Sequence, residues 1–88
     1  MSVDKSTPLP EKNEKGLYYI TEKFCREICE YNGYYSTPHH NSNLLLHFKG
    51  FTKIENMEAF VNVKVLYLEN NCIKKIENLS HMTYLSCL

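Results

Sequence analysis

From Leu44 onward the chain repeats itself with a period of 22 residues. Repeats of that length have few ways to fold other than stacking side by side, because one unit cannot bury its own apolar face. Sliding the segment that begins at Leu44 onto the one that begins at Leu66 aligns identical residues. They are Leu44/Leu66, Leu46/Leu68, Lys53/Lys75, Ile54/Ile76, Glu55/Glu77, Asn56/Asn78 and Leu66/Leu88. Apolar-for-apolar exchanges fill much of the rest: Phe51/Ile73, Met57/Leu79, Phe60/Met82 and Val63/Leu85. A shared Ile-Glu-Asn followed by an apolar residue, set in a matched apolar frame, is hard to obtain by chance.

The second copy reads Val63-x-x-Leu66-x-Leu68-x-x-Asn71-x-Ile73-x-x-Ile76-x-x-Leu79. This resembles the leucine-rich-repeat pattern, in which each position has a physical task. Leu66 and Leu68 alternate on a short strand and point the same way into the core, as Leu44 and Leu46 do in the first copy. The side-chain amide of Asn71 serves both a backbone donor and an acceptor inside the bend, where unpaired polar groups are costly. Phe51, Ile54, Ile73, Ile76 and Leu79 line the returning half. The first copy has Lys49-Gly50 where the second has Asn71-Cys72, as expected of a terminal repeat that faces a cap. A third copy opens at Leu85. The expected fold is an α/β leucine-rich-repeat solenoid fragment, with short parallel strands and an N-terminal helical cap. Its C-terminal edge is expected to bare strand hydrogen-bonding groups and so to favour self-association.

The cap lies upstream. Residues 1–16 are polar, with Pro8 and Pro10, and read as a disordered tail. Residues 17–43 hold the cap and a connector, and residues 44–88 the repeats. Leu17, Ile20, Phe24, Ile28 and Tyr31 recur three or four apart, on one helical stripe. Thr21 is a good N-cap, Glu22 suits the positive end of the helix dipole, and Gly33 ends the helix in a left-handed conformation. Cys25 and Cys29 border the stripe. Residues 34–43, with Pro38 and several Asn and Ser, form a turn-rich connector.

Ten basic residues balance ten acidic ones, so nucleic acid is not the expected ligand, since phosphate binding needs a clustered positive surplus. No basic amphipathic or long apolar stretch suggests a membrane. The polar start lacks a signal-peptide core, so a cytosolic location is expected, with four reduced cysteines. Cys25, Cys29, His39 and His40 have the wrong spacing for common structural zinc sites, and the two thiols read as core or border groups. Phosphate-loop, nucleophile-elbow and metalloprotease motifs are missing, so neither catalysis nor a cofactor is expected. Function is expected to be protein binding through the strand residues beside the core leucines: Asn43, Leu45 and His47 in the first copy, Val65, Tyr67 and Glu69 in the second, with Cys87 opening the third. Tyr67 beside Leu45 makes an aromatic–aliphatic pair of the kind enriched at interface centres.

The repeat, with its Ile-x-x-Ile-Glu-Asn-Leu, resembles the class found in protein phosphatase 1 regulators. Adding the helix, Ser36-Thr37-Pro38, Leu46-His47-Phe48-Lys49-Gly50-Phe51 and Leu66-Tyr67-Leu68-Glu69-Asn70-Asn71 narrows the match. Residues 21–79 resemble the N-terminus of the leucine-rich-repeat dynein axonemal assembly factor family. That resemblance implies a cytoplasmic and ciliary scaffold that preassembles dynein arms, with dynein chains, other assembly factors or chaperones as partners. The alternatives are a subunit that binds a phosphatase catalytic subunit through the same repeats, or a truncated product without function of its own.

Overall fold

The 22-residue offset of the sequence is the register of a sheet. In the computed structural model, which describes residues 7–86, strand β3 (Asn43–Leu45) pairs in parallel with β4 (Val65–Tyr67), placing Asn43 against Val65, Leu44 against Leu66 and Leu45 against Tyr67. Each strand is only three residues long, too short to hold by itself. Backbone bonds extend the ladder at both ends: the Leu46 amide donates to the Tyr67 carbonyl (2.9 Å), the Phe48 amide to Glu69 (3.1 Å), and the Lys64 amide to Ser42 (2.8 Å).

Beyond the strands the two repeats follow the same path. Asn56 and Asn78, equivalent positions, both adopt φ near +60°, a left-handed conformation that asparagine tolerates better than most residues. Asn78 Nδ2 donates to the Ile54 carbonyl of the first repeat (2.7 Å), and Asn56 Nδ2 donates to the Ile20 carbonyl (2.8 Å). The segment before the helix therefore stands to the first repeat as the first stands to the second. Matching turns close the two halves, with Phe60 N–H on the Met57 carbonyl and Met82 N–H on that of Leu79.

Helix α1 (Glu22–Tyr31) begins at Thr21, whose Oγ1 accepts from the Phe24 amide at 3.0 Å. It closes at Gly33 (φ +82°), with the Tyr34 amide on the Cys29 carbonyl at 2.8 Å. Its buried face, Phe24, Cys25, Ile28 and Cys29, joins Ile20, Leu44, Leu46, Phe51, Ile54, Met57, Phe60, Val63, Leu66 and Met82 in one core. Phe24 and Phe51 meet edge to face at 5.8 Å, tying helix to repeat.

Three expectations need correction. The stripe of Leu17 and Tyr31 is not buried; they are 45% and 38% exposed. Thr21 starts the helix one turn after Leu17, and Tyr31 is its last residue. Residues 1–16 are not uniformly a tail, because β1 (Glu11–Lys12) pairs antiparallel with β2 (Tyr18–Tyr19). Asn13 Oδ1 accepts from the Lys15 and Leu17 amides to make that turn, and Tyr18 lies over Gly50, where an added Cβ would sit 3.3 Å from the ring. Finally, Ile76 was expected in the core but is 63% exposed, whereas its counterpart Ile54 is fully buried. The second repeat covers Ile54, and among the described residues nothing stacks on Ile76. Leu68, Ile73, Leu79 and Leu85 pack partly buried against the same core. Leu88 lies outside the described residues.

Candidate protein-binding face

Side chains alternate across a strand, so burying Leu44, Leu46 and Leu66 turns their neighbours to the opposite face. Asn43, Leu45, His47 and Val65 are half-buried there, while Tyr67 and Glu69 are exposed. The parallel register sets Leu45 directly beside Tyr67. The His47 ring lies 5.8 Å from the Tyr67 ring and 5.6 Å from that of Phe48. The six expected residues thus occupy one continuous surface on two adjacent strands and their extensions. Cys87 lies outside the described residues.

Two features of this face were not anticipated. His47 Nδ1 is buried and makes no hydrogen bond within the described residues. Phe48 is 68% exposed and adopts φ +54°, where a bulky residue is strained. Asn70, its counterpart 22 residues on, has φ +61°. The repeat therefore imposes the backbone conformation, and the first copy meets it with an aromatic ring. Comparing Phe48 with Asn70 is the signal that reveals it.

The floor beneath is held by Asn71, whose Oδ1 accepts from the Lys49 and Phe51 amides at 2.9 and 3.1 Å. Its Nδ2 donates to the Leu46 and Leu68 carbonyls at 2.8 and 3.0 Å. The role expected within one bend thus extends across both repeats. The second repeat supplies the asparagine that the first lacks.

The thiols weighed for zinc are core residues. Cys25 and Cys29 are buried on α1, whereas His39 and His40 are exposed in a 3-10 turn (Pro38–His40). Burial pushes the Cys29 thiol up to about 11. Burial pushes Cys25 higher still, with Cys29 and Glu22 adding to it. The folded state holds these protons more tightly than the unfolded chain, whose thiols titrate near 9.0. Their contribution is therefore complete below pH 9 and falls as pH rises, through 11 for Cys29 and beyond it for Cys25. Urea midpoints are expected to fall across that window, and the slope should flatten in a Cys25→Ala/Cys29→Ala variant.

Comparison with known proteins narrows the class. The chain is 45% identical over 60 residues to a Dynein axonemal assembly factor 1 homolog of Drosophila pseudoobscura pseudoobscura, an alignment covering 68% of this chain and 4% of the relative. It is 40% identical over 60 residues to the Leucine-rich repeat-containing protein ODA7 of Chlamydomonas reinhardtii, covering 68% of this chain and 14% of the relative. Dynein axonemal assembly factor 1 of Peromyscus polionotus matches at 44% over 49 residues, 56% of this chain and 8% of the relative. The chain is related to the leucine-rich-repeat dynein axonemal assembly factors. It spans a small part of their length, and these relatives are named as assembly factors and a repeat protein, not as enzymes. No protein-family model matches the chain, and no solved structure matches it.

Proposed function

We propose that this chain is the opening of a leucine-rich-repeat solenoid that serves as a protein-interaction scaffold in the cytoplasmic preassembly of axonemal dynein arms. Dynein chains, other assembly factors or chaperones are its partners. The face formed by Asn43, Leu45, His47, Val65, Tyr67 and Glu69 makes the contact. The observation that carries this reading is the pairing of Leu45 with Tyr67, with His47 alongside. It is a compact aromatic–aliphatic centre with polar ends, the composition that concentrates binding energy. The relatives' names favour dynein assembly over the phosphatase-subunit alternative. Solenoids suit such work because equivalent positions in successive coils present one continuous surface in register.

Tyr67→Glu and Tyr67→Ser are each expected to reduce capture of dynein chains from the cytoplasm of ciliated cells at least tenfold, the scale of an interface hot spot. Because Tyr67 is outside the core, the circular dichroism spectrum should not change. Capture that survives both substitutions removes this face as the contact.

A further inference from the structure

An open groove of about 460 Å³ runs beside the entry to the two parallel strands, lined by His39, His40, Asn41, Ser42, Asn62, Lys64 and Tyr84. It follows the repeat. His40, Asn62 and Tyr84 lie 22 residues apart in turn, as do Ser42, Lys64 and Ser86. The connector and the two repeats thus each add one residue to each of two polar rows. Backbone bonds hold the rows in step, with the Lys64 amide on the Ser42 carbonyl (2.8 Å) and the Ser86 amide on that of Lys64 (2.9 Å). One wall is also fixed. Asn41, 2% exposed, donates to the Tyr35 and Thr37 carbonyls and accepts from the Tyr35 amide. Asn62 Nδ2 donates to the His39 carbonyl at 2.8 Å.

The chemistry of the lining is one-sided. It offers one ammonium, two imidazoles, two carboxamides, a phenol and a hydroxyl, and no carboxylate, in a chain whose acidic and basic residues balance. Among the described residues the ion pairs are Arg26–Glu22 and Lys75–Glu77, which leaves Lys64 without one. An ammonium flanked by hydroxyl donors favours a carboxylate over a neutral group. Neighbouring strands lie about 4.8 Å apart, so rows drawn from three successive levels extend about 10 Å. That is the length of about three residues of extended chain and more than a single anion needs. One lysine is too little charge for a nucleic acid backbone.

We infer that this groove binds an acidic peptide segment of a partner, with one carboxylate on Lys64 and its neighbours along the row of His40, Asn62 and Tyr84. The groove shares no residue with the sheet face described above, so either can fail alone. Titrating the isotope-labelled 88-residue chain with hexaglutamate at low salt should shift the amides of His39, His40, Ser42, Asn62, Lys64 and Tyr84. Lys64→Glu should weaken binding at least tenfold and Lys64→Gln at least threefold, with amide dispersion unchanged. Lys53→Glu, Lys74→Glu and Tyr67→Ser should each stay within twofold. Equal binding of hexaglutamine, equal losses at Lys64 and Lys74, or tighter binding of inorganic phosphate than of hexaglutamate would each overturn the proposal.

Discussion

Phe51→Ala should destabilise the fold by about 3–5 kcal/mol, the cost of removing a large buried ring and leaving a cavity behind. Phe51 has no exposed surface and meets Phe24 edge to face at 5.8 Å. Its loss therefore empties the junction between α1 and the first repeat. Collapse to fill the space is restricted on two sides, because Tyr18 already lies against Gly50 and Asn71 binds the Phe51 amide. A domain of this size has roughly 4–13 kcal/mol in all, on the usual range per residue, so the single substitution consumes much of it. Phe48→Ala is the control. The same residue type three positions earlier is 68% exposed, and its truncation should cost less than about 1 kcal/mol. Urea midpoints that move equally for the two variants would mean that the core has been misplaced.

The features legible in the sequence were those set by repetition. Leu44 and Leu66 are identical and occupy one register position. Thr21 and Gly33 bound the helix, because each carries its own local chemistry as a cap. What was not legible depends on neighbours that no single segment specifies. Leu17 fits the spacing of the helical stripe, yet Thr21 starts the helix after it and leaves Tyr18 and Tyr19 to pair with Glu11 and Lys12. Ile54 and Ile76 are the same residue at the same repeat position, but their exposure differs, because among the described residues only Ile54 has a full repeat after it. At the candidate face, alternation identified which side chains turn away from the core. The buried Nδ1 of His47 and the left-handed Phe48 depend on how the folded chain surrounds them. Periodicity gives the direction of a side chain, not the bonds it makes.

Asn71 tests whether the two repeats act as one structure. Asn71→Ala removes two donated and two accepted bonds at once, three of them to the first repeat. At about 1 kcal/mol each, and with the part-buried amides of Lys49 and Phe51 left unpaired, the expected loss is about 2–4 kcal/mol. Asn71→Asp separates the two halves of the role. The introduced carboxylate can still accept from both amides, but it places a negative oxygen against the Leu46 and Leu68 carbonyls, which accept from Nδ2 in the native chain. Repulsion there disfavours the ionised form, so the folded state raises the pKa of the introduced carboxyl above the value near 3.9 of an unfolded aspartate. A proton held more tightly when folded contributes stability below that value and loses it as pH rises. The Asp variant should therefore be closest to the native chain near pH 3, where a protonated carboxyl can donate to one carbonyl, and should fall behind it between pH 4 and 7. Guanidinium midpoints of both proteins across that range measure the difference. A difference that does not vary with pH would show that the amide's donation across the repeats contributes nothing.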